Sequence, residues 1–377
     1  LTDLAIVLAG GGARAAYQAG VLRAVSRRFP DLSVAIFTGV SAGAINSAFL
    51  ANHSGSFEQA VMDLCELWGD LRTEKVIDAR LARLLGRAVS WGMRLGLGGA
   101  TREPRARGMV DTAPLRQLLA RALCRDDDAS LLVGVEQNIR MERLRALALT
   151  STNYDTGQAI TWVTASDSAS HRAVRQSRAC RMTVDHVMAS AAIPLFFPAV
   201  RLEDGWHGDG GVRQTTPLSP ALHLGARRIL AISPRRSRAE LEPPQADAPQ
   251  YPPPAQILGI LMNAVFLDNL DHDAGEMARL NELLVSIAPE QRKGLLPVDL
   301  LVVRPSADLG RIAGEYEHTL PRGFRYLLRG WGTKETPAAD SIAMLLFEAE
   351  YTRRLMDIGE RDGEQRMPDI EKLVLDA

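Results

Sequence analysis

Three short stretches carry groups suited to nucleophilic chemistry. Gly39-Val40-Ser41-Ala42-Gly43 fits G-x-S-x-G, in which a serine sits on a sharp strand-to-helix turn. Such a turn is too crowded for side chains at Gly39 and Gly43. It presents the hydroxyl at a helix N-terminus, where free N–H groups favour developing negative charge. Gly10-Gly11-Gly12 follows the apolar run Leu4–Leu8 and opens a helix-like stretch. Its unobstructed N–H groups suit an anion, either a phosphate or the oxyanion of a tetrahedral intermediate. The nucleotide version is poorly supported. No G-K-[ST] follows, and Asp31, about twenty residues on, stands before the second strand rather than at its end. Asp209-Gly210-Gly211 alone is an ordinary turn sequence. It gains meaning because Ser41 needs a base.

A histidine base is the competing arrangement. His207 precedes Asp209, while His223, His272 and His318 follow it, as the serine–acid–histidine order requires. His223 is expected on a helix face, His272 in a solvated position between two aspartates, and His207 as a group lining the site. The sequence holds no HExxH, no paired His–carboxylate spacing and no EF-hand loop, so no metal and no cofactor is expected.

Positioning these residues needs buried strands followed by helices, and the first half alternates in that way. Strands are predicted at Leu4–Leu8, Val34–Thr38, Leu144–Thr150, Ala159–Val163, Val200–Leu202, Trp206–His207 and Arg228–Ser233. Helices are predicted at Arg14–Arg28, Ala44–Ala51, Phe57–Gly69, Ala79–Arg87, Thr112–Leu123 and Thr183–Ala191. Residues 88–108 resemble an insertion, with Trp91, Met93, Leu95 and Leu97 among glycines and arginines. With Arg102, Arg105 and Arg107 it suits an anionic lipid surface or a plain solvated loop. The expected division is a catalytic domain at 1–235, a proline-rich loop or linker at 236–256, and a mainly helical C-terminal region at 257–377 packed on that domain. Within the last, Ile257–Leu270 suits a packed helix or a lid.

The 377 residues are 46% hydrophobic and 24% charged, which argues against disorder and coiled coil. A net charge of -1 gives no basic field for nucleic acid. Cys65, Cys124 and Cys180 lie far apart, as reduced thiols of a cytoplasmic protein do. No run reaches the ~18 apolar residues of a membrane span. No signal peptide is visible, although a leader ahead of Leu1 stays open. Oligomeric state is not legible.

Taken together and in this order, the glycine loop, GVSAG and DGG resemble the patatin-like phospholipase family, bacterial type. GMVDTAPLRQLL (Gly108–Leu119), MASAAIPLFFPAV (Met188–Val200) and the stretch Asp209–Ser233 look similar too, so the resemblance covers roughly residues 4–233. It implies a three-layer α/β fold, a sheet flanked by helices, with a helical C-terminal region. It implies a lipid acyl hydrolase of phospholipase A or lysophospholipase type, working through an acyl-enzyme on a Ser-Asp dyad. Ser41 matches the nucleophile and Asp209 its base. Gly10, Gly11, Gly12 and Arg14 match the oxyanion loop, and Gly210 and Gly211 complete the acid's motif. Ala15 departs from the family's usual glycine. Substrates would be lipids or lysolipids, met at a peripheral membrane surface. An acyl-thioesterase or acyltransferase, and a catalytically idle lipid-binding effector, are the alternatives.

Overall fold

The apolar run Leu4–Leu8 forms β1, and its alternate side chains divide between two hydrophobic layers. Leu4, Ile6 and Leu8 face one layer and Ala5 and Val7 the other, as the two-residue period of a strand requires. The computed structural model describes residues 2–78, 108–124, 130–166, 176–236, 269–321, 325 and 343–375. The other strands are β2 (Ile36–Val40), β3 (Ala146–Asn153), β4 (Ala159–Ala165), β5 (Ser177–Ala179), β6 (Val200–Leu202), β7 (Gly205–Asp209), β8 (Arg228–Ile232) and β9 (Asp299–Val303). Their order is β5-β4-β3-β2-β1-β8-β9, with the β6–β7 hairpin added at β3. The run from β3 through β2, β1 and β8 to β9 is parallel, and β3–β4 is an antiparallel hairpin.

Helices cover both faces. One layer holds α1 (Ala16–Arg28), α2 (Ala42–Asn52), α3 (Phe57–Gly69) and the helix Ala349–Gln365; the other holds Ser219–His223 and Leu270–Ser286. This is a mixed α/β fold, a central sheet between helical layers. α3 begins at a capping box, with Ser56 Oγ accepting from Gln59 N–H and the Gln59 side chain from Ser56 N–H.

The structure differs from the sequence reading in several places. β2 sits two residues later than predicted, because pairing with β1 continues to Gly39 and with β3 to Val40. The first helix opens with a tight 3-10 turn at Gly12–Ala15. In the C-terminal region, predicted to be mainly helical, β9 is an additional strand that extends the sheet beyond β8. Leu300-Leu301-Val302-Val303 is a short apolar run, and periodicity alone cannot assign such a run to strand or helix. The expected helix Ala79–Arg87, residues 88–107 with Arg102, Arg105 and Arg107, and residues 237–268 lie outside the described residues.

Candidate active site

β2 ends at Val40 opposite Thr150 of β3, and the chain turns sharply into α2. Ser41 is the turning residue, with φ 56° and ψ -130°. Such a positive φ costs a non-glycine residue about 1–3 kcal/mol and persists only where its surroundings hold it. The hold comes from both sides. Ser41 N–H donates to Ser190 Oγ at 3.1 Å, and Ser190 donates to Thr150 O at 2.6 Å. The start of α2 presses against β1: a Cβ at Gly43 would lie 2.1 Å from Leu8 O, and one at Gly39 would lie 2.4 Å from Gly43 O. Those backbone contacts are why the pattern needs both glycines.

β7 brings the acid to this turn. β3 pairs with β2 as far as Thr150 and then, along the same edge, with β7, so that Ser151 lies opposite Asp209. The nucleophile candidate and the acid therefore flank consecutive positions of one strand. Asp209 is fully buried. Its N–H donates to Ala192 O at 3.0 Å, and its carbonyl accepts from Thr152 Oγ1 at 2.8 Å. Oδ1 accepts from Gly211 N–H at 2.9 Å, within the turn Gly210–Val212, and Oδ2 has no partner in hydrogen-bonding geometry among the described residues. Burial pushes the Asp209 carboxyl up to about 7, and the neighbouring Ser41 hydroxyl and the Gly211 N–H offset part of that rise. A carboxyl near neutrality beside a serine hydroxyl has the basicity that general-base chemistry at neutral pH requires.

The glycine loop lies against Ser41. A Cβ at Gly10 would be 3.0 Å from Ser41 Cβ. The N–H groups of Gly11 and Gly12 donate to no group among the described residues, which leaves them open to an anion. Arg14 is buried and donates from Nε to Gly11 O at 3.4 Å. It braces the loop from its carbonyl side and lines neither cavity at Ser41.

Two cavities meet at Ser41, each about 40 Å³. In the first, every described side chain except Ser41 is apolar, with Trp68, Leu71, Leu115, Leu119, Phe197 and Phe347 forming much of the wall. Gly10, Gly11, Asp209, Gln214, Arg235 and Asn269 line the second.

Among the described residues no histidine joins this set. His207 is fully buried but bonded elsewhere: Nδ1 to Ser151 Oγ at 2.9 Å and Nε2 to Asp204 Oδ1 at 2.7 Å. The Asp204 carboxylate can only accept, so His207 donates to it from Nε2; Trp162 Nε1 donates to Ser151 Oγ at 2.8 Å, and the serine hydroxyl is left to donate to Nδ1. His223, His272 and His318 are exposed. Among the described residues no three His, Cys, Asp or Glu side chains gather as metal ligands, and no helix is long and apolar enough to cross a membrane. Nothing in the sequence marks Ser190 or Thr150 as partners of this turn; a lone serine in an apolar helix carries no pattern.

The family model for patatin-like phospholipase matches residues 6–222, and the chain belongs to that family. No curated protein matches the chain. Among solved structures, it is similar to human GIVD cytosolic phospholipase A2 in complex with methyl gamma-linolenyl fluorophosphonate, at 15% identity and TM-score 0.46, covering 98% of this chain and 58% of that one. It is also similar to VipD from Legionella pneumophila, at 14% identity and TM-score 0.39, covering 94% of this chain and 66% of that one. A third is the type III effector protein ExoU, at 14% identity and TM-score 0.31, covering 93% of this chain and 53% of that one. The chain thus spans between 53% and 66% of the length of these structures.

Proposed function

We propose that the chain is a serine acyl hydrolase that cleaves carboxylic esters of phospholipids or lysophospholipids. Ser41 Oγ attacks the ester carbonyl while Asp209 Oδ2 takes its proton. The N–H groups of the glycine loop hold the oxyanion. Collapse of the tetrahedral intermediate breaks the bond to the leaving alcohol, which takes the proton back from Asp209. Water then attacks the acyl-enzyme, again losing its proton to Asp209, and the fatty acid leaves as Ser41 recovers its hydrogen. The apolar cavity receives the start of the acyl chain next to the ester carbonyl, and the polar one faces the leaving group.

One observation carries this reading: a strained, buried serine beside a fully buried carboxyl with an open oxygen, at the junction of an apolar and a polar cavity. Residues 1–235 hold the catalytic groups and the C-terminal region packs on them. Contact with a lipid surface is peripheral. A fluorophosphonate probe should label Ser41 and abolish hydrolysis of a soluble ester, with labelling lost in Ser41→Ala. Labelling that persists in Ser41→Ala overturns the assignment. Fatty acid released from phospholipid vesicles by the wild type, and not by Ser41→Ala, identifies the substrate class.

A further inference from the structure

The oxyanion loop leads into α1, and the nucleophile leads into α2. Their relative placement sets the distance between the loop N–H groups and Ser41. A buried chain of amides joins them. Gln18 of α1 donates from Nε2 to Ala9 O at 2.7 Å and to Ile232 O at 3.1 Å. Ala9 immediately precedes the glycines. Asn46 of α2 donates from Nδ2 to Gln18 Oε1 at 2.9 Å and to Ala15 O at 3.2 Å. Trp68 of α3 donates from Nε1 to Asn46 Oδ1 at 2.8 Å, and its ring lines the apolar cavity. Gln18 and Asn46 have no exposed surface and Trp68 is 3% exposed. Both amide N–H groups of each amide are used, and each amide oxygen accepts one bond. A fully satisfied buried network rigidifies what it joins, whereas a half-satisfied one is costly.

We propose that Gln18 and Asn46 are positioning residues, an amide relay that fixes the glycine loop against the nucleophile and ties both to Trp68 in the apolar cavity. The inference rests on the function proposed above. Neither amide touches substrate; each acts through the loop and the helix it holds. Displacing catalytic donors by even 1 Å costs up to about a hundredfold in rate.

The test is steady-state hydrolysis of a soluble ester by Gln18→Met and Asn46→Leu, which keep approximate volume and remove the bonds. Asn138→Leu is the control. Asn138 is buried, donates to Ala51 O and His53 O at 2.9 Å each, and lies outside both cavities. The relay variants should lose roughly ten- to a hundredfold in kcat with KM little changed. Their rate of labelling by a fluorophosphonate should fall in parallel, and the pH midpoint of kcat/KM should stay where it is in the wild type. Asn138→Leu should lower thermal stability yet keep kcat. Trp68→Phe, the mildest cut, should lower kcat to a smaller degree and covers the case in which the other variants fail to fold. No label at Ser41 in the wild type overturns both the function and the relay. Label at Ser41 with wild-type kcat in folded Gln18→Met or Trp68→Phe overturns the relay alone, as does an equal kcat loss in Asn138→Leu.

Discussion

Asp209, the base of the proposed mechanism, works against the fold. In the unfolded chain its carboxyl ionises near 3.8; in the folded protein burial moves that to about 7. Between those values the folded state holds a proton that the unfolded state has released, so stability falls as pH rises through this window. Below pH 4 the two states are alike and nothing is lost. Asp209→Asn removes the penalty, because its side-chain oxygen can still accept from Gly211 N–H and no charge is buried. The variant should therefore melt several degrees above the wild type at pH 8, with the difference shrinking towards pH 5. Thermal melts at the two pH values check this. The same titration governs chemistry: kcat/KM of the wild type should rise with pH through about 7, as the carboxylate forms, and Asp209→Asn should fall close to the Ser41→Ala background. An Asp209→Asn variant that retains most activity assigns the base elsewhere.

Among the elements, β7 does most to assemble the site, because its pairing beyond the end of β2 brings Asp209 level with Ser41 across 168 residues (209 − 41). β7 is anchored by the bonds from His207 to Ser151 and Asp204, with Arg178 on the far carboxylate oxygen of Asp204 at 2.8 Å. His207→Gln should cost about 1–3 kcal/mol, since buried partners lose a bond. The folded variant should hydrolyse a soluble ester at nearly the wild-type rate. Collapse to the Ser41→Ala rate in a folded His207 variant would mean that the histidine acts in the reaction. Local pattern made much of this legible. The strand before Ser41, the helix after it and the hairpin ahead of Asp209 are all written in short runs and turns. What the sequence hid was long-range. Nothing near Leu300 says that it extends the sheet, and nothing near Ser190 says that it grips the N–H of Ser41. Gln18, Asn46 and Trp68 look like ordinary helix residues until three helices bring them together. Arg14 matched a basic position of the family's loop, yet its side chain holds the loop from behind, a direction that residue type does not encode.

The whole molecule closes around a contact between its two ends. α1 and the helix Ala349–Gln365 meet at the level of their backbones: a Cβ at Gly20 would lie 2.0 Å from Met356 O, and one at Gly359 would lie 2.2 Å from Tyr17 O. Tyr351, Leu355, Met356 and Ile358 are each no more than 3% exposed. β9 covers the edge of β8 over five residue pairs, and Met344 and Phe347 line the cavities at Ser41. Burying a large apolar side chain is worth about 1.5–3 kcal/mol, so these four alone account for on the order of 6–12 kcal/mol, comparable with the ~5–15 kcal/mol net stability of a typical protein. A chain ending at Arg235 keeps Ser41, Asp209 and the glycine loop but loses this cover and leaves β8 as an open apolar edge. It should be insoluble or lack a cooperative melt, and it should not react with a fluorophosphonate. Co-expression with residues 236–377 should restore both folding and labelling at Ser41. A soluble 1–235 fragment that melts cooperatively and labels at the full-length rate would show instead that the catalytic region folds alone, with the C-terminal third as an accessory.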